Sequence, residues 1–103
     1  MIQARKLNWS SLIDKNIQYG TNNGTFYSSG TPTTTTITFP HPFNNAPAVM
    51  VIPRSVAQNG ASLYGEIYVA TIRSISNTQA VITLRTNYHN SVNAKYDWLA
   101  IGD

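Results

Sequence analysis

The stretch Thr35–Ile52, T-T-I-T-F-P-H-P-F-N-N-A-P-A-V-M-V-I, leaves this chain few ways to fold. Pro40, Pro42 and Pro47 lie between two strand-like runs. Each removes a backbone donor and clamps φ near about −65°, so no helix can pass through the segment. Upstream, Thr35 to Phe39 alternates threonine with Ile37 and Phe39. That pattern suits a strand with a polar outer face, and threonine's branched Cβ supports it. Downstream, Ala48-Val49-Met50-Val51-Ile52 is almost wholly apolar and bounded by Pro47 and Pro53. It is too short for a helix and reads as a central strand of a sandwich. With Phe43 in the corner, Ile37 and Phe39 give one face a large apolar load.

The remaining segments extend the same theme. Tyr19 and Thr25-Phe26-Tyr27 are short strand candidates on either side of Asn23-Gly24, a pair that predicts a tight turn. Ser29-Gly30-Thr31-Pro32 predicts another turn. Alternation then marks strands over Tyr64–Ile72, Ala80–Thr86 and Ala94–Ile101, with Arg73–Thr78 as a turn and Asn87–Asn93 as a polar loop. In the last strand Ala94, Tyr96, Trp98 and Ala100 share one face, and Lys95, Asp97, Leu99 and Ile101 the other. Only residues 1–17 carry a weak helical pattern, with Leu7, Leu12 and Ile13 apolar and Trp9 as an anchor. They form an N-terminal arm or short helix, and residues 18–103 form the head domain. Six to seven short strands with no βαβ pattern predict an all-β fold, a small antiparallel β-sandwich. Its core candidates are Phe39, Phe43, Val49, Val51, Ile82, Leu84 and Leu99. Several strands are apolar on both faces, the pattern of a sheet covered by a neighbouring copy. Trp98, Tyr64, Tyr68, Tyr96 and His41 are the candidate interface residues, with Trp98 divided between core and interface.

Composition excludes more than it assigns. Only 11% of residues are charged, and Thr, Ser and Asn take the place of the usual surface Lys and Glu. There is no cysteine, hence no disulfide framework and no Cys-bearing zinc motif. No apolar run approaches the ~18 residues of a membrane helix, and no continuous hydrophobic region marks a secretory signal at the start. Asp14, Glu66, Asp97 and Asp103 fall on different segments without acid–base spacing, and His41 and His89 are far apart. No nucleophile motif occurs. The expectation is therefore a domain that is not an enzyme and holds no metal or cofactor. The net charge of +3 comes from scattered basic residues, of which only Arg5-Lys6 are adjacent, so nucleic-acid binding is not expected.

One loop stands apart. Asn87-Tyr88-His89-Asn90 places amides, an aromatic ring and an imidazole within four residues. These are the groups that bind sugars, directional hydrogen bonds fixing the hydroxyls while a ring packs on the apolar sugar face. The alternative is a Tyr88 that anchors the loop beside an exposed His89.

Taken together, Ile37-Thr38-Phe39-x-x-Pro42-Phe43-x-x-x-Pro47-x-Val49, then Tyr68-Val69, Ile75, Thr86-x-Tyr88-His89 and the closing Trp98-Leu99-Ala100-Ile101-Gly102 resemble the H-type lectin domain. The same frame is similar to C-terminal head domains of bacteriophage tail-fibre and baseplate proteins. The resemblance implies a sandwich that assembles as a homotrimer with carbohydrate sites near subunit boundaries. It places Tyr88 and His89 at the family's aromatic–histidine pair, where the aromatic is usually tryptophan. Asn87 and Asn90 of the same loop flank them, and Asn22, Asn23 and Gly24 are available where the family has an acid and a glycine, with no acid between Asp14 and Glu66. The family's arginine near positions 66–68 is absent. The function implied is a receptor-binding head, in the virion tail or extracellular, that recognises cell-surface polysaccharide and contacts other tail proteins. The alternatives are a structural trimeric cap or adaptor without a sugar site, and a soluble H-type lectin.

Overall fold

The computed structural model describes residues 15–57 and 67–103. They form six strands: β1 (Asn16–Phe26), β2 (Thr35–Thr38), β3 (Ala48–Ala57), β4 (Tyr68–Ile75), β5 (Gln79–Thr86) and β6 (Val92–Gly102). Two antiparallel three-stranded sheets result, β1-β6-β3 and β2-β5-β4. The all-β sandwich expected from the sequence is the observed architecture.

Period-two alternation decides which side chains meet between the sheets. From β6, Val92, Ala94, Tyr96, Trp98 and Ala100 point inward, and from β5, Ala80, Ile82 and Leu84 do the same; all are buried. Phe26, Ile37, Phe39 and Phe43 complete this core, with Phe39 and Phe43 edge-to-face at 5.1 Å. The proline corner brings Phe43 inward as expected, and the Phe43 and Asn44 amides donate to the carbonyls of Asn77 and Asp103. Gln18 fastens the other side of the corner. Its amide donates to the His41 carbonyl at 2.8 Å and accepts from the His41 N–H at 3.0 Å, so a buried side chain acts as one more rung of sheet.

Five expectations are corrected. Asn23-Gly24 is not a turn but the interior of β1, paired in register with Lys95 and Ala94. Glycine is used here for closeness: a Cβ on Gly24 would lie 2.5 Å from Leu84 Cδ1, and one on Gly20 2.7 Å from Trp98 Nε1. The turn at Gly30 is observed, with φ at 73°. Secondly, β3 is an edge strand rather than a central one, because β6 lies between β1 and β3. An edge tolerates Pro53, whose missing donor would break a central ladder, and the pairing register shifts after it. Thirdly, Leu99 is half-buried on the outer face of β6, the side opposite the core. Fourthly, β1 begins at Asn16, so the end of the expected N-terminal arm is strand; residues 1–14, including Trp9, lie outside the described residues. Strand β4 also runs through Arg73 to Ile75, leaving residues 76–78 as the turn, where the Ser76 hydroxyl accepts from the Thr78 and Gln79 amides.

The interface candidates divide. Tyr96 and Trp98 are 1% and 6% exposed inside the sandwich of a single chain, so neither ring is available to a neighbour. Tyr68 also turns inward, edge-to-face with Phe26 at 5.3 Å. His41 is exposed in the corner, and Tyr64 lies outside the described residues. Exposed apolar side chains lie instead on the outer face of β1-β6-β3, at Ile17, Tyr19, Met50 and Ile52, and on the other sheet at Ile67, just before β4, and at Val69 and Ile72 along it. Tyr19, Leu99 and Met50 stand in one cross-strand row, and Ile17, Ile101 and Ala48 in the next. Tyr19 is 76% exposed, Ile52 61% and Met50 54%.

Candidate functional site

The loop 87–91 joins β5 to β6 at one end of the sandwich, and its conformation follows from its short polar side chains. The Asn87 side-chain oxygen accepts from the Ile67 N–H at 2.6 Å, and the Asn87 N–H donates to the Ile67 carbonyl at 3.2 Å. The Thr86 hydroxyl accepts from the Tyr88 amide at 3.2 Å. At the loop's end the Ser28 amide donates to the Ser91 hydroxyl, also at 3.2 Å. These bonds hold the chain on both sides of Tyr88 and His89 without engaging either side chain.

Tyr88 packs its ring against the core, and His89 is exposed beside it. Their ring centroids are 4.2 Å apart with planes inclined at 41°. One ring is thus anchored and the other displayed, next to the exposed Asn90. A hollow of about 230 Å³ lies nearby between Ile67, Val69, Arg85, Thr86 and Asn87. Arg85 comes from β5, directly across from Val69 of β4. A guanidinium therefore reaches this region from the strand opposite the one on which the family carries its arginine.

Within one chain Asn23 and Gly24 do not join this loop. Asn23 is exposed on the outer face of β1, opposite Lys95, and Gly24 is turned toward Leu84 and Tyr96 in the core. The loop's real neighbours are Ser28, Ser91, Ile67 and Arg85. Ser28 and Ile67 bear no local signal, because each arrives through strand pairing across the fold, whereas Arg85 and Ser91 lie close to residues 87–90 in the chain.

The strongest charge constellation lies elsewhere, on the outer face of β1-β6-β3. Asp97 accepts from Arg54 Nε and Nη2, both at 3.0 Å, and from the Thr21 hydroxyl at 2.6 Å. The Arg54 guanidinium and then the Thr21 hydroxyl hold its carboxyl below the usual carboxylate range, and the pairing raises Arg54 in turn. Asp97 thus pairs across strands with Arg54 rather than with Lys95. With both groups open to solvent, this is a surface clamp between β3 and β6.

Among the described residues no group of His, Asp or Glu is arranged to hold a metal ion. The chain is thus a two-sheet sandwich with an aromatic–imidazole pair on a braced end loop. The match to the H-type lectin domain covers residues 34–101, more than half of the chain, and the chain belongs to that family. Among solved structures the chain is similar to an N-truncated R1-type pyocin tail fibre, at 26% identity and a TM-score of 0.65. That likeness covers 84% of this chain and 70% of the fibre chain. It is equally similar, at 26% identity and a TM-score of 0.65, to the P. aeruginosa R1 pyocin fibre comprising C-terminal residues 323–701, of which it spans 23%. No curated protein sequence matches the chain.

Proposed function

We propose that this domain is the receptor-binding head of a tail fibre, in the virion tail or extracellular, and that it recognises cell-surface polysaccharide as a homotrimer. The observation that carries the reading is the Tyr88–His89 pair, two rings in tilted contact on a loop braced by backbone and hydroxyl bonds, in a chain of the H-type lectin family. Tyr88 supplies the apolar ring for a sugar face, while His89 and Asn90 supply directional hydrogen bonds. Similarity to the pyocin fibres supports the tail-fibre setting and contact with other tail proteins. The apolar row Tyr19–Leu99–Met50 supports self-association, since it carries large side chains on a sheet face over which no other described strand lies. Trimerisation also multiplies weak sites into avidity.

A structural cap without a sugar site is the second reading. It is favoured by the Asn87 oxygen, already committed to Ile67, and by the absence of an arginine at Ile67 or Tyr68. The solution mass by light scattering, followed by an array of glycans and bacterial cell-wall polysaccharides, separates the two. A trimer with a defined hit supports the receptor-binding head. A trimer with no hit supports the cap, and a monomer removes both.

A further inference from the structure

The outer face of β2-β5-β4 carries a second feature, a groove of about 490 Å³. Its floor is the cross-strand rows Val69–Arg85 and Thr71–Thr83, and its wall is formed by Thr31, Pro32 and Thr34 of the connection before β2. Arg85 and Arg73 line opposite ends. Arg73 lies at the register shift between Ile72 and Ser74, close to Val81 of β5. Four residues of strand separate Arg85 from Val81, so the two arginine positions are roughly 13 Å apart along the sheet.

Charge is distributed unevenly between the sheets. Both acids among the described residues, Asp97 and Asp103, are in ion pairs with Arg54 and Lys15 on the β1-β6-β3 side. Among the described residues, the groove is lined by two guanidiniums and no carboxylate. Arg85 donates to the Gly30 carbonyl, which steadies its head along the wall. Arg73 has no hydrogen-bond or ion-pair partner among the described residues, although it lies within the cavity lining. Planar guanidiniums match carboxylate and phosphate oxygens two at a time, and threonine hydroxyls between them suit sugar hydroxyls. The groove also shares Val69 and Arg85 with the hollow beside Asn87. A single track therefore runs from the Tyr88–His89 loop along the sheet to Arg73.

We infer that this track is a binding groove for an acidic polysaccharide, whose carboxylate or phosphate groups are taken by Arg85 and Arg73. The charge argument stands on the groove alone and goes beyond the sugar site at the loop. The test is calorimetric titration of the whole chain with a galacturonate oligosaccharide and with a glycerol-phosphate oligomer, against a neutral galactose oligosaccharide of equal length. At least one acidic probe binds, the neutral one binds at least tenfold more weakly, and the difference shrinks with added salt. Arg73→Gln lowers affinity for the acidic probe about tenfold with unchanged thermal stability, Arg73→Lys restores part of it, and His89→Ala leaves the acidic–neutral ratio intact. Which acidic probe binds tells carboxylate from phosphate. Equal binding of charged and neutral probes, binding of neither acidic probe, or acidic binding indifferent to Arg73→Gln overturns the proposal. Loss of neutral-glycan binding in His89→Ala reports on the loop site alone, so the two readings fail separately.

Discussion

Gly20 lies opposite Trp98 across the β1–β6 ladder, so close that a Cβ at Gly20 would fall 2.7 Å from the indole Nε1 and 3.0 Å from Cε2. The indole fills the space that a side chain on β1 would otherwise occupy. Its ring is rigid and enclosed, so a methyl at position 20 has no flexible neighbour to displace. Gly20→Ala should cost about 1–3 kcal/mol, as overpacking does elsewhere, measured as a shift in the urea midpoint at constant slope.

The partner substitution gives a different number. Trp98→Ala should cost about 3–5 kcal/mol through the cavity it opens. Trp98→Phe should cost much less, because the buried indole N–H has no acceptor among the described residues, and removing such an orphan returns about 1–3 kcal/mol. A Trp98→Ala protein as stable as the parent would show that the register of β6 is wrong.

Gln18→Ala tests the side-chain rung that holds the proline corner. It removes both bonds to His41 and leaves the amide and carbonyl of that residue to find water. The expected loss is about 1–2 kcal/mol, together with faster hydrogen exchange at His41 while the amides at the centre of β6 stay protected. Uniform loosening of both segments would rule out a local clamp.

How much of this was legible beforehand varies with the range of the interaction. The inward set Ala94, Tyr96, Trp98 and Ala100 is readable because alternation is local. Asn23-Gly24 was misread because the pair is a strong turn signal, whereas here Gly24 admits Leu84 from the other sheet, sixty residues away in the chain. Strand β3 was misplaced because apolar residues on both faces can signify a central strand or an edge whose outer face awaits a partner. The sugar-loop residues were visible as chemistry, since Tyr88 and His89 are adjacent. Their neighbours Ser28 and Ile67 were not, because strand pairing alone brings them there.

Within the loop, Tyr88 and His89 should separate by readout. His89 is exposed and holds nothing else in place, so His89→Ala should reduce glycan binding at least tenfold with stability unchanged. Tyr88→Ala should lower both, since its ring also packs on the core. Thermal unfolding and glycan titration on the same samples check this, and unaltered binding in both variants would move the sugar site away from this loop.

The Asp97–Arg54–Thr21 clamp makes stability depend on acid in a defined window. The folded state holds the Asp97 carboxyl below its ordinary value of 3.8. The unfolded chain therefore takes up the proton first as pH falls. The clamp's contribution is complete above that value and is lost as pH drops through the lowered one. Asp97→Asn should be slightly less stable than the parent near neutrality and converge with it only in strong acid. High salt should narrow the gap, since both groups are solvent-exposed.

Charging the apolar sheet face tests assembly directly. Met50→Glu places a carboxylate in the row with Tyr19 and Leu99, where the chain itself has no buried contact to lose. The expected result is a shift from trimer to monomer by light scattering with an unchanged circular dichroism spectrum. A trimer that survives would move the interface to another face.

The rows on the two outer faces are separated by a core about one sandwich thick, ~10 Å between sheets. Because side chains alternate, Val69, Thr71, Thr83 and Arg85 belong to neither the core nor the face that bears Tyr19 and Met50. A lineage under pressure from a changing host coat could thus rewrite one surface without renegotiating the other. The interleaved aromatics would act as insulation between a part that must stay the same and a part free to drift.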